Sequence, residues 1–474
     1  MTAEIKESAL NTTSLRIAAV ITLLFLAFHA FVLANSNPQV NIKGDANGYY
    51  DLALGIAEYG RLTSFSNPES GVVARPPLYP MFVSLAISAG DGKSPLPVII
   101  LQAVVLLATA FMAWRVAEHW LPGYGILVFF LVLFNPSAAG KVHMLLTETL
   151  YAFLLTTAIW SLSRYAGRPT VLAVLILGIA VGLATLTKPE ARLLSYILPF
   201  AVVLVGVSSG TSFSWQKHCL WGLASLLLAL AVSYSWSAYD ELRRDGKVIS
   251  KSGKSASHIR YNLAILEHMK NPIGSIQDAD DRLYDQGLAH LVKIRESRKI
   301  DLADEGSVLT SYYFDRMKTH HPKTIARAVV KGWISFFASG GGQTINDVLG
   351  MKIERQNKFV FSSNPIKVLS ESLANNAFWP TFVTIIGIGF AVITRTLGLI
   401  GLVTLIMRKQ WPLLAILIGI VAFTLFVTLF NGMSRYRIPV DPPLMILATY
   451  GIYTLHRLFR YYRRGRQAES GRST

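Results

Sequence analysis

Apolar runs of about twenty residues, each closed by a polar connection, recur along most of the chain, and a helix of that length is what the hydrocarbon core of a bilayer requires. Taken as uninterrupted runs, they predict helices near 15–35, 97–118, 122–139, 144–163, 169–187, 191–208, 217–238, 379–407, 411–430 and 440–458, which makes ten crossings. The segment from Pro77 to Ala89 is apolar but too short to span, and is expected as an interfacial or half-buried helix. The one sizeable polar block, 239–377, has helical periodicity. Ile259, Leu263, Leu266 and Met269 recur at helical spacing, and Leu283, Leu288, Leu291 and Val292 follow similarly. Asp278 or Asp280 is expected to cap the second helix of this block, and His320-His321-Pro322 to part a third from the amphipathic run Thr324 to Ala338. The expected fold class is therefore an all-α polytopic membrane protein. Its parts are an N-terminal membrane module (1–238) with a first outer loop at 41–96, a small helical outer domain (239–377), C-terminal membrane helices (378–458) and a basic tail (459–474).

Composition agrees with this pattern. Of 474 residues, 52% are hydrophobic and only 15% charged, and the mean hydropathy is +0.41, which excludes an ordinary soluble enzyme. The net charge of +17 does not point to nucleic acid, because the cations gather in short connections and between Arg457 and Arg466, as they do beside lipid head groups. Lys6, Arg16, Arg115, Arg164, Arg168, Lys217, Arg408, Lys409 and the arginines from Arg457 onward fall on the side of the termini. The short connections of the opposite side carry only Lys141, Lys188, Arg192, Arg435 and Arg437. That bias places both termini of a multi-pass membrane protein in the cytoplasm; the bacterial inner membrane is the compartment expected from the chain's compact size and the family resemblance given below. The 41–96 loop, the turns near 140–147, 187–191 and 431–439, and the polar block then lie outside, in the periplasm. The first apolar run, Ile17 to Ala34, lacks a small-residue cleavage site and is expected to be retained. The single cysteine, Cys219, excludes an intramolecular disulfide.

Chemistry concentrates on the outer face. Asp45, in the first outer loop, is placed either as a general base towards a hydroxyl or as a cap for a helix from Ala46 to Tyr59. Arg75 precedes Pro76-Pro77, which stiffen the backbone and extend the residue before them. A cation so presented suits an anionic head group beside Tyr79, or lipid phosphate to which it snorkels. Glu148, at the outer end of a span, needs a cation, water or substrate. His143 is not at metal-binding spacing with Glu148, and no metal site is expected. Lys188-Pro189-Glu190 reads as a helix start, which explains the proline and the glutamate but not the cation. Arg435 and Arg437 oppose the positive-inside trend, which points to an anionic partner. Guanidinium suits phosphate, and with no nucleotide-binding loop in the chain, a lipid-linked phosphate entering from the bilayer is the expected carrier.

Asp45 with Tyr49-Tyr50, the closing Arg75-Pro76-Pro77-Leu78-Tyr79-Pro80, Thr147-Glu148, Lys188-Pro189-Glu190 and Arg435-Tyr436-Arg437-Ile438-Pro439 occur in an order that resembles the GT-C glycosyltransferases. The group in question contains the protein O-mannosyltransferases and the bacterial aminoarabinose and galacturonic acid transferases. The resemblance covers about residues 15–240 and 379–458. It implies transfer of a single sugar, with inversion, from a polyprenyl-phosphate donor to a glycan, lipid or protein acceptor outside the membrane. It further implies Asp45 as catalytic base, Arg75, Lys188, Arg435 and Arg437 as donor-phosphate contacts, and Tyr49, Tyr50, Tyr79, Glu148 and Glu190 as substrate contacts. No cofactor is expected. Ala46 stands where many relatives carry Glu, so a metal-linked second carboxylate has no residue here. An O-antigen polymerase or ligase, or a lipid-linked saccharide transporter, is the alternative. The first is disfavoured by Asp45 and Arg75 coming early in the chain, the second by candidate residues lying at one face rather than at the midplane.

Overall fold

A computed structural model describes residues 12–68, 75–90, 92–210, 213–243, 253–271, 273–297, 305–351, 370, 378–432 and 434–470. Among these every regular element is helical. The membrane module comprises α1 (Thr12–Ala34), α2 (Asp45–Tyr59), α3 (Leu78–Ser88), α4 (Leu96–Trp120), α5 (Gly125–Leu133), α6 (Pro136–Lys141), α7 (Glu148–Gly167), α8 (Val171–Thr187), α9 (Arg192–Ser208) and α10 (Trp215–Arg243). The polar block contributes α11 (Gly253–Lys270), α12 (Ile276–Ser297), α13 (Glu305–Lys318), α14 (Pro322–Ala338) and α15 (Gly342–Val348). The C-terminal part adds α16 (Phe378–Met407), α17 (Trp411–Thr428), the single turn α18 (Ser434–Arg437) and α19 (Asp441–Ser470).

Six of the described helices are long and apolar enough to cross a membrane: 12–34, 96–120, 189–208, 215–236, 378–407 and 411–428. The other expected crossings differ for local reasons. The run 122–139 is two helices, because Pro136 has no N–H for the preceding turn and Asn135 caps the new start, its Oδ1 accepting from the Ser137 amide at 3.0 Å. The crossing placed at 169–187 is the 17-residue α8. Helix α7 spans 20 residues but opens on Glu148 and carries Arg164 in its last turn. The crossing at 440–458 is the first half of the 30-residue α19, whose second half is basic. As expected, α3 is a short apolar helix.

One large core runs through the membrane helices and includes Phe336 of α14, so the polar block is tied into the main body. Helix α15 sits against α6 and α16. A separate small core forms where Leu263 and Ala264 of α11 meet Leu283 of α12 and Tyr313 of α13. Leu288 and Val292, expected on that apolar face, are instead 39% and 52% exposed. The cap of α12 is Ser275, whose hydroxyl accepts from the Asp278 amide (3.1 Å) while Asp278 accepts from the Ser275 amide (2.5 Å), a reciprocal capping pair. His321 caps α14 through Nδ1 and the Lys323 amide, and Pro322 follows at its first position. In the C-terminal part, Gly401 of α16 and Gly451 of α19 each face the other helix's backbone with no room for a Cβ, which lets these two helices approach closely.

Candidate functional site

Asp45 is the first residue of α2, and the cap position belongs to Gly44, whose φ of +56° favours glycine. The Asp45 carboxylate makes no capping bond. Oδ1 accepts from Arg75 Nη2 at 2.7 Å and Oδ2 from Arg435 Nη1 at 2.9 Å, so one carboxylate joins two arginines 30 and 390 residues away. The three side chains are 35%, 29% and 28% exposed, which leaves the cluster open on one side to a ligand. Burial works to raise the Asp45 carboxyl, but Arg435 and Arg75 outweigh it and hold the group below its ordinary value. For Arg75 burial is outweighed by the bond to Asp45, and the guanidinium is shifted up.

A second pair lies beneath. Glu148 Oε1 accepts from Lys188 Nζ at 3.1 Å, with only 4% and 11% of these side chains exposed. Tyr436 links the two pairs: its hydroxyl accepts from Arg435 Nη2 at 2.9 Å, and its ring faces Lys188 Nζ at 5.3 Å. Tyr151, one turn along α7 from Glu148, presents its ring to the same ammonium at 5.5 Å.

Tyrosines below the cluster fix its floor. Tyr49, one turn into α2 from Asp45, carries the Arg75 guanidinium over its ring at 4.8 Å and meets Tyr79 edge-on at 5.0 Å. Fully buried Tyr79 donates to Gln102 Oε1 (2.9 Å), and Gln102 donates in turn to the Val142 and Met144 carbonyls (2.8 and 2.9 Å), just ahead of Glu148. Buried polar groups joined in this way are fully satisfied and hold one geometry.

Other expected contacts lie elsewhere. Tyr50, one residue round the helix from Tyr49, donates to the Lys93 carbonyl and anchors α2 to the loop before α4. Glu190 sits half-buried in the single turn Pro189–Ala191, close enough to act electrostatically on Lys188 but without a hydrogen bond to it. Arg437 departs most from expectation. It is 1% exposed, and its guanidinium donates to Asp441 Oδ1 (3.0 Å), Ser137 Oγ (2.7 Å) and the Phe336 (2.8 Å) and Ser339 carbonyls, leaving no face for a ligand. His143 stacks on His29 with a ring-nitrogen contact of 2.8 Å, apart from the cluster. Among the described residues no group of three or more His, Cys, Asp or Glu is arranged to hold a metal ion. Tyr436 and Gln102 are the contributors that sequence reasoning passed over. An amide inside the apolar run 97–118 was the available signal for Gln102.

No protein-family model and no curated protein sequence matches the chain. Among solved structures it is similar to the apo oligosaccharyltransferase of Archaeoglobus fulgidus, with a TM-score of 0.47 and 13% identity over 95% of this chain and 52% of that one. It is also similar to ArnT of Cupriavidus metallidurans in the apo state, with a TM-score of 0.38 and 12% identity over 92% of this chain and 78% of that one. The same protein bound to undecaprenyl phosphate gives 0.38 and 13% over 91% and 77%. The chain spans about half the length of the oligosaccharyltransferase it matches.

Proposed function

We propose that this protein is a membrane glycosyltransferase that moves a single sugar from a polyprenyl-phosphate donor to an acceptor hydroxyl at the outer face of a bacterial inner membrane, with both termini cytoplasmic. The observation that carries the reading is the open Asp45 carboxylate held between Arg75 and Arg435. Two guanidinium groups converging on one point are built to take the oxygens of an anionic leaving group, and they stabilise charge as it gathers there. A carboxylate beside them is within reach of the incoming hydroxyl.

The arginines bond to Asp45 and depress its basicity. A donor phosphate competes for both guanidinium groups, and as they turn to it the carboxylate recovers strength as a base. The acceptor O–H proton passes to Asp45, the acceptor oxygen bonds to the anomeric carbon, and the C–O bond to phosphate breaks with its electron pair going to the phosphate. One displacement of this kind inverts the anomeric centre and needs no covalent enzyme intermediate. Glu148, Lys188 and Tyr49 form the layer beneath the sugar, while Tyr79 and Arg437 hold the frame around it.

The test is initial-rate transfer from a labelled polyprenyl-phosphate sugar in membranes containing Arg75→Ala or Arg435→Ala. Each variant loses a charge-assisted phosphate contact, so the donor KM rises by about tenfold or more. A donor dependence unchanged in both variants refutes phosphate binding by this pair.

A further inference from the structure

Where the last turns of α11 and α13 meet α12 there is a cleft of about 840 Å³. Its charged lining is Glu267, Lys270, Arg282 and Arg316, with Asn271, Thr319 and His320 beside them. Glu267 is paired with Arg316 at 2.8 Å, and Arg316 also contacts the Tyr312 hydroxyl at 3.3 Å. Among the described residues neither Lys270 nor Arg282 has a hydrogen-bond or ion-pair partner. Lys270 and Arg316 lie in last turns, where cations complement the helix dipole. That account does not extend to Arg282, which stands in the first half of α12, nearer the end where a cation is disfavoured. Asp278, one turn before it, accepts from the Ser275 amide and also acts electrostatically on Arg282.

Three fixed cations against Glu267, with Asp278 acting on Arg282 from beside the lining, leave an excess of one to two positive charges, comparable to a phosphate monoester at about −1.5 to −2. Leu266 and Met269 of the same α11 pack with Phe430, so the helix whose last turn lines the cleft is fixed to the segment that leads into Arg435. We infer that this cleft binds a phosphoryl group carried by the acceptor and so holds the acceptor at the outer mouth of the Asp45 cluster. The acceptor part of this statement rests on the glycosyltransferase reading above.

Two measurements test it. The first follows inorganic phosphate by 31P NMR at constant ionic strength with the full chain in nanodiscs. In the Arg75→Ala/Arg435→Ala background, which removes the other phosphate-binding pair, saturable binding persists and weakens at least tenfold on adding Lys270→Ala/Arg282→Ala, while Arg282→Lys keeps most of it. Binding that is absent, or undiminished by the double substitution or by the charge reversal Arg282→Glu, overturns the site. The second compares transfer to a cell-envelope extract before and after phosphatase treatment. Dephosphorylation lowers the wild-type rate about tenfold, and Lys270→Ala/Arg282→Ala is equally slow with either extract. Equal rates with both extracts in the wild type overturn the acceptor assignment and leave the transferase reading standing. Absence of transfer to any extract overturns both, and the phosphate titration then decides the cleft alone.

Discussion

Arg437→Ala removes the bonds by which one guanidinium ties its own turn to three elements: Ser137 on α6, the Phe336 and Ser339 carbonyls at the end of α14, and Asp441 at the start of α19. Asp441 is 1% exposed and keeps a second cation, since Arg395 Nη2 donates to the same Oδ1 at 2.9 Å. The carboxylate is therefore not left alone, which lowers the cost from that source, but two carbonyls and a hydroxyl lose their donor in a dry interior. Breaking a buried pair costs about 3–5 kcal/mol, and each orphaned acceptor about 1–3 kcal/mol before relaxation or water entry. Taking the overlap of these effects, the loss is about 3–5 kcal/mol. Arg435 stands two residues earlier on the same turn, so the variant also loosens one wall of the Asp45 clamp. The assay is unfolding of purified protein in detergent, followed by circular dichroism, with Arg437→Lys alongside. Lysine keeps the charge but cannot span four acceptors, so it recovers only part of the stability. An Arg437→Ala protein that unfolds with the wild type refutes the account of this residue.

Other outcomes follow from the same geometry. In Glu148→Gln or Lys188→Met the remaining buried partner is left as an uncompensated charge, so each single variant is less stable than the double variant Glu148→Gln/Lys188→Met; strict additivity of the two losses in thermal unfolding contradicts this. The folded-state Asp45 carboxyl lies below its ordinary 3.8, so its contribution to stability is fully present above that value and is lost as pH falls through the lower folded one. Stability from this residue is therefore flat across neutral and mildly acidic pH. In Arg435→Ala, which removes the largest cause of the depression, the acid limb of the unfolding profile moves to higher pH, and coincident profiles for the two proteins argue against the clamp.

Much of the architecture was legible in the chain because long apolar runs have few structures open to them. The break ahead of α14 at His320-His321-Pro322 and the short helix after Arg75 were equally plain. The division at Asn135-Pro136 was present as a capping asparagine before a proline, yet the apolar character on either side concealed it. Leu288 and Val292 fit an apolar spacing but fall outside the packed stripe of α12. At the site, Asp45 was recognisable as an acid in an outer loop, but no local pattern reveals that Arg75 and Arg435 close on it from 30 and 390 residues away. The Arg435-Tyr436-Arg437 sequence shows the limit most clearly. In a helical turn, two residues are about 200° apart around the axis, so its arginines face opposite ways. One reaches Asp45 and the other enters the interior, and only the tertiary fold decides which.

The most direct test of the central claim is turnover of a labelled polyprenyl-phosphate sugar in membranes containing purified Asp45→Asn protein. The substitution keeps the size of the side chain and one of the two acceptor oxygens, so one arginine keeps its bond while the base is lost. The account predicts transfer reduced by a factor of at least about 100, the low end of what a positioned general base contributes, in a protein that still unfolds cooperatively. Near-normal turnover in a folded Asp45→Asn protein contradicts it.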